Sequence, residues 1–460
     1  MTFTVNNTDD VPDVNSDDDV CETAPGNGVC TLRAAIQQSN LHDGADTIIL
    51  QANVTYLLTR VGADDLSLDG DLDIFDSVTI TGAGPTTVID GNGGVLAERV
   101  FTIFQCIGDV SPGATCSSLG IVSVTMSGLT IQHGYSAGSG GGIYNAAKLT
   151  LQNCVVKANT VNGTNESGGG IYNILQLTLI NSTVSGNISS GPNAYGGGIY
   201  DAAMMAINSS TISGNAASEF TGSGGGIAVN TASAVSIKNT TISSNSAASG
   251  GGISILNQGD MQIPIVNSTI SGNWAYGNGG GVYSSTGFSH TGSTGLYNVT
   301  ITKNEANADE IKADGMAGGV FQGNGTLYVA NSIIAGNYLV IPTAGKPIID
   351  PDQCSGTISS LGNNFLSDID ATRCAITGQY EVATVPLGPL QDNGGSTKTH
   401  ALLPGNLAID GGNMTGCKDG NGSSIAFDQR GEPRPNGPYC DAGAFEVAEI
   451  IFQDGFEPGP

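Results

Sequence analysis

The sequence predicts an all-β fold, a solenoid in which one chain winds into superimposed parallel strands. Three observations predict it: a unit that recurs along the chain, a two-residue alternation inside each unit, and a composition of small residues. A Gly-Gly-Gly-Ile segment ends at Ile143, Ile171, Ile199, Ile227 and Ile253, a Gly-Gly-Gly-Val segment at Val282 and an Ala-Gly-Gly-Val segment at Val320. Successive spacings are 28, 28, 28, 26, 29 and 38 residues. A second mark, of the type Asn-Ser-Thr-Ile-Ser-Gly-Asn, ends at Asn159, Asn187, Asn215, Asn245, Asn273, Asn304 and Asn337. Self-similarity at such a period signals a repeat architecture, because no unit this short buries its own apolar face.

Each unit reads as strands. In "LQLTLINSTVSGN", Leu175, Leu177 and Leu179 alternate with polar residues, a period of two. Copies of one strand in consecutive coils pair about 4.8 Å apart, so seven asparagines at one phase form a column roughly 30 Å long. Asparagine suits the left-handed backbone of a sharp turn, and stacked amides satisfy turn groups that would otherwise be buried unpaired. The triple glycine brings the chain back into the coil where a Cβ would clash, and the Ile that follows points inward.

Composition agrees. Of 460 residues, 69 are Gly, only 14 are Lys or Arg, and aromatics make up 6 %, a small-residue profile suited to corners and aliphatic stacks. A net charge of -27 repels nucleic acid and anionic membranes. No run of 18 apolar residues is present, so no transmembrane segment is expected. The opening "MTFTVNNTDD" has no basic-then-apolar signal segment, which fits a mature form.

Nine cysteines point to an oxidising compartment. Pairing sequence neighbours gives Cys21 with Cys30, Cys106 with Cys116, Cys354 with Cys374 and Cys417 with Cys440; spacing alone leaves other connectivities open. Cys154 remains. It shares its phase with Ser182, Ser210, Thr240 and Ser268 and reads as a small buried thiol.

The ends differ from the middle, as solenoids need caps against edge association. Thr31 is a candidate N-cap for a short helix presenting Leu32, Ala35, Ile36 and Ser39 on one face. This gives an N-terminal cap with first coils over 1–119, a repeat core over 120–340, last coils with an irregular disulfide-clamped cap over 341–447, and a tail over 448–460.

"VCTLRAAIQQSN" resembles the Cys-Ser-Leu-Arg-Glu-Ala-Ile motif of secreted bacterial β-helix proteins. "LLPGNLAIDGGN" with "DQRGEPRPNGPYCDAGAFE" is similar to the C-terminal signature of the choice-of-anchor Q family, and the central marks resemble the repeats of polymorphic outer-membrane proteins. The tail "IFQDGFEPGP" resembles short terminal tails of exported Gram-negative proteins. The resemblance implies a right-handed, single-stranded parallel β-helix, exported and attached to the cell envelope. Thr31 and Ala34 stand where the motif has Ser and Glu, so a capping-box partner is missing. Family membership of this kind fixes no single activity.

Three sets of residues carry candidate chemistry. Tyr144, Tyr172 and Tyr200 follow inward Ile residues, so alternation turns them outward, and Tyr283 and Phe321 return to the same phase. Such a column either stiffens the wall or offers a platform for sugar rings, with Asn145, Asn173 and Asp201 beside it as hydrogen-bonding groups. The irregular segment around 290–314 gathers His290, Lys303, Glu305, Asp309, Glu310, Lys312 and Asp314. Polysaccharide lyases need a base and a charge-neutralising cation, and glycoside hydrolases need two facing carboxylates; a solvated loop has the same composition. Asp69, Asp71 and Asp73 alternate in a spacing that suits calcium, although the fold requires no cofactor.

The reading is a secreted or cell-surface binding, adhesion or structural module directed at an extracellular glycan or cell-surface component, monomeric and without nucleic acid. A polysaccharide lyase or glycoside hydrolase is the alternative. An ice-binding solenoid is set aside, because the outward threonines begun by Thr150 and Thr178 give way to Ala206 and Ser236.

Overall fold

A computed structural model describes residues 1–62, 66–105, 120–218, 220–307, 315–343 and 346–448. The chain is a parallel β-solenoid. One coil shows its plan: Ile143–Asn145, Lys148–Gln152, Val155–Lys157 and Thr160–Val161 are four short strands separated by corners. Each pairs in parallel with its copy one coil on, Ile143 with Ile171, Leu149 with Leu177, Val155 with Thr183 and Thr160 with Ile188. These four walls are called here, in chain order, the tyrosine wall, the long-strand wall, the threonine wall and the short-strand wall. Among the described residues the threonine wall joins 12 strands.

Alternation places one side of every strand in the core. Ile143, Ile171, Ile199, Ile227, Ile253, Val282 and Val320 are all fully buried in a single cluster that also holds Leu149, Leu177, Val156 and Val184. The asparagine column stands inside a corner. From Asn159 to Asn337 each side-chain amide donates to the Oδ1 of the next asparagine, at 2.8 to 3.0 Å, and the column ends on Gln353. Each Oδ1 also receives the backbone N–H of the preceding column residue, as Asn187 Oδ1 does from Asn159. The left-handed residue at this corner is not the column asparagine but the one before it: Ala158, Gly186, Gly214, Ser244, Gly272, Lys303 and Gly336. A different asparagine series, Asn153, Asn181, Asn239, Asn267, Asn298 and Asn331, adopts positive φ one corner earlier.

The triple glycines are packed backbone to backbone. A Cβ on Gly169 would sit 2.4 Å from the Gly197 carbonyl oxygen and 2.5 Å from the carbonyl of Ile188, closer than real side chains come.

The N-terminus caps the coil. Thr2–Thr4 pairs with Asp46–Ile49, and the helix Leu32–Leu41 lies over the core with nine of its ten residues buried. Thr31 caps it, accepting from the Ala34 N–H at 3.1 Å. Position 34 is Ala, so the return bond of a capping box is absent; the Thr31 hydroxyl also donates to the Val11 carbonyl at 2.6 Å.

The C-terminal region does more than close the end. After the hairpin Leu387–Gln391 with Thr399–Leu402, the chain runs back along the outside of the threonine wall. Thr241 Oγ1 donates to the Lys398 carbonyl, Thr269 Oγ1 to Gln429 Oε1 at 2.7 Å, and Ser271 Oγ meets His400 Nε2 at 2.8 Å. Asn267, Asn298 and Asn331 donate to the carbonyls of Phe427, Lys418 and Asp441. A second small core of Ile333, Ala335, Phe365, Leu402, Ala408 and Ala442 seals this strap, and a buried Arg434–Glu446 pair at 2.8 Å braces it internally.

Disulfides join Cys21 to Cys30, Cys354 to Cys374 and Cys417 to Cys440; Cys106 and Cys116 lie outside the described residues. Cys154 is buried and unpaired, with its thiol pushed up to about 11 by burial. Among the described residues no helix is long and apolar enough to cross a membrane. Three disulfides are compatible with an oxidising, extracellular compartment.

Candidate functional site

Among the described residues, the outer face of the tyrosine wall carries a run of three aromatic side chains in register. Tyr144, Tyr172 and Tyr200 pair along the wall as copies of one position. Their rings stack at 5.5 and 5.1 Å between centroids, with planes 18° and 5° apart. All three are half-buried. Burial, then the neighbouring phenols Tyr200 and Tyr144, pushes the Tyr172 hydroxyl up to about 12, so this central ring is neutral at any physiological pH. At one end the Arg99 guanidinium lies 5.4 Å over the Tyr144 ring. Arg99 donates to Thr102 Oγ1 at 3.0 Å, which donates to Asp71 at 2.6 Å. At the other end Tyr195 tilts 38° against Tyr200 at 6.5 Å.

This geometry corrects the expected platform. Rings stacked along the wall cover one another's faces and present edges and hydroxyls to solvent, so no sugar ring can lie flat on Tyr172. Faces are free only where the row breaks. The next two residues of the phase are Ala228 and Ser254, and the aromatics resume with Tyr283 stacked on Phe321 at 5.1 Å.

Asn145, Asn173 and Asp201 are not beside the row. One residue further along each strand, alternation turns them inward, and all three are fully buried. They form a second ladder: Asn145 donates to Asn173 at 2.7 Å, and Asn173 to Asp201 at 2.6 Å. Burial pushes the Asp201 carboxyl up to about 7, against the Asn173 hydrogen bond, which favours ionisation. The two amides and the carboxyl are buried in the wall and do not face the outer surface with the tyrosines.

The charged insertion does not assemble. His290 sits at the corner between the tyrosine and long-strand walls, 3.8 Å from Asp260. Lys303 lies two walls away, after Thr300–Thr302, and Glu305 is on the short-strand wall, where its Oε2 accepts from the Tyr338 hydroxyl at 3.1 Å. Asp309, Glu310, Lys312 and Asp314 lie outside the described residues. The three aspartates expected for calcium each have a different protein partner. Asp69 pairs with Arg60 at 2.8 Å, Asp71 accepts from Thr102, and buried Asp73 accepts from the Ser67 N–H at 3.0 Å. No group of three or more His, Cys, Asp or Glu suited to a metal occurs among the described residues.

Two features escaped the sequence reading. Arg33 is fully buried, donating to Asp10 at 2.6 Å and to the Gly70 carbonyl at 2.8 Å; a lone Arg in a helix otherwise facing the core was its signal. Thr183, Thr211, Thr241, Thr269 and Thr300 form an outward column. Its repeated Thr-Ile-Ser was legible, but not that the strap covers its later members.

No protein-family model matches the sequence, and no curated protein matches it. Among solved structures the chain is similar to the crystal structure of pectate lyase Pel9A, at 12 % identity and a TM-score of 0.45, over 97 % of each chain.

Proposed function

We propose that this protein is a secreted or cell-surface binding module that engages an extracellular glycan through the outer face of its tyrosine wall. The observation that carries the reading is the in-register aromatic series Tyr144, Tyr172, Tyr200, Tyr283 and Phe321 on one wall of a rigid coil. Half-buried aromatics with hydroxyl and amide neighbours are the side chains by which proteins hold sugars, since they combine apolar area with a polar tip. The solenoid fixes their spacing without a conformational change on binding. The test is equilibrium binding of the intact protein to neutral and acidic polysaccharides. Saturable binding that is lost in the triple variant Tyr144→Ala, Tyr172→Ala, Tyr200→Ala supports the reading, and no binding to any of them refutes it.

Lyase or hydrolase activity is the second reading, favoured by one cluster. Arg99, Tyr144 and Asp71 adjoin on the same face, and burial holds both Asp71 and Glu98 above the usual carboxylate range. Such groups would serve as base and acid on a bound polysaccharide. Following unsaturated uronide and new reducing ends in the same incubations decides it; turnover abolished by Arg99→Ala would reverse the order of the two readings.

A further inference from the structure

The geometry points to one place on the tyrosine wall as a pyranose-binding slot: the two-coil gap over Ala228 and Ser254, walled by the faces of Tyr200 and Tyr283. The inference rests on the glycan-binding reading above and narrows it to neutral sugars. Tyr200, Ala228, Ser254 and Tyr283 occupy one phase in four consecutive coils. Three rungs separate the two aromatic residues, about 14 Å. Tyr172 and Tyr200 lie nearly parallel, as do Tyr283 and Phe321. Each stack therefore ends on a ring with one face left uncovered by its stacking partner on the side of the gap, and Tyr195, tilted 38° against Tyr200 at 6.5 Å, borders the slot there.

The floor is small and low. Ala228 is 5 % and Ser254 8 % exposed, and the Ser254 hydroxyl has no hydrogen-bond partner among the described residues. The rim is built of amides: Asn230 donates to the Tyr200 hydroxyl at 3.2 Å, and Gln258 to Asn230 Oδ1 at 3.1 Å. Beyond Gln258 the His290–Asp260 pair stands at the corner. A pyranose needs an apolar face for its axial C–H bonds, at van der Waals contact of about 4 Å, and hydroxyls and amides at its edge. The gap admits one ring flat against either wall and supplies both chemistries. Its floor and walls carry no charge, and the chain's net charge of -27 opposes a polyanion, so the slot suits a neutral glycan rather than a uronate.

The experiment measures binding of hexasaccharides of β-1,4-glucose, β-1,4-N-acetylglucosamine, β-1,4-xylose and α-1,4-galacturonate. Ala228→Tyr with Ser254→Tyr fills the gap with the residue its neighbours already hold, so the ladder continues and the fold is kept. Tyr283→Ala removes a wall and leaves the slot open. The expected result is binding of at least one neutral hexasaccharide with galacturonate excluded. Each variant should weaken it about tenfold or more, while Tyr328→Ala on the long-strand wall leaves it unchanged. Wild-type affinity in both slot variants overturns the slot and leaves the wider reading standing, as does preference for galacturonate. A wild-type protein that binds none of the four overturns the glycan-binding reading and the slot with it.

Discussion

Asn173 donates its side-chain amide to Oδ1 of Asp201 at 2.6 Å, and there the inner ladder begun at Asn145 stops. The next residue at this position is Val229. Asn145 and Asn173 also donate to the carbonyls of Gln176 and Met204; by register the equivalent carbonyl for Asp201 is that of Ala234. A carboxylate cannot donate to it, and Asp201 Oδ2 is buried without a partner.

Burial raises the Asp201 carboxyl to about 7 in the folded chain, against about 4 when unfolded. Folding therefore takes up a proton. This contribution favours the fold most below about pH 4, declines as pH rises to about 7 and is flat above, a swing on the order of 4 kcal/mol. Asp201→Asn supplies the missing donor at every pH. Denaturant melts should show the variant more stable than wild type by about 3 kcal/mol at pH 8 and nearly equal to it at pH 4. A difference that does not change with pH would show that Asp201 is solvated.

The triple glycines and the lone corner glycines are required for different reasons, and substitutions should separate them. Gly169→Ala drives a methyl into the backbone of the next coil and should cost about 3 kcal/mol or more. A Cβ on Gly214, at φ +64, would meet nothing closer than the Gly186 nitrogen at 3.9 Å, and its counterparts Ala158, Ser244 and Lys303 already adopt left-handed backbone. Gly214→Asn should cost about 1 kcal/mol or less. Thermal melts of the two variants provide the comparison; equal losses would contradict it.

The strap should detach without unwinding the coil. Gln429 is nearly fully buried, accepting from Thr269 and donating to the hydroxyls of Thr241 and Thr397 at 2.9 Å. Gln429→Ala leaves the Thr269 hydroxyl without its acceptor, at a cost of about 1–3 kcal/mol, while Thr241 keeps the Lys398 carbonyl and Thr397 that of Asn239. Hydrogen exchange should rise across the Phe427 to Glu446 segment, while strands such as Ile171–Asn173 keep their protection. Uniform loss of protection would mean that strap and coil unfold as one unit.

What the sequence discloses here depends on the length scale of the pattern. The asparagine column and the inward Ile series are legible because a repeat converts sequence phase directly into spatial neighbourhood. The same logic, carried one residue further, also puts Asn145, Asn173 and Asp201 inside; setting them beside the tyrosines overlooked the alternation. The docking of Gln429 on Thr241 and Thr269 joins residues about 160 to 190 apart, with no shared period to mark it. The two-coil gap in the aromatic row could be read as the letters Ala228 and Ser254. That it exposes ring faces follows only from the parallel stacking of Tyr200 and Tyr283 with their neighbours.

Within the column, Asn215 tests how far the coil depends on its amides. Its Oδ1 accepts both the backbone N–H and the side-chain amide of Asn187 at 3.0 Å, and its own amide donates to Asn245 Oδ1 and to the Val184 carbonyl. Asn215→Ala removes all four bonds and strands two donors of Asn187 in a corner with no access to water. Asn215→Asp restores the acceptor but not the donor, and buries a carboxyl. Each unpaired buried group costs about 1–3 kcal/mol, so Ala should lower stability by about 4 kcal/mol. Asp should lose less than Ala at low pH, where its protonated oxygen can donate, and more as pH rises and the buried charge forms. Denaturation curves for both variants across pH give the ordering, and a pH-independent ranking would show that water reaches this corner.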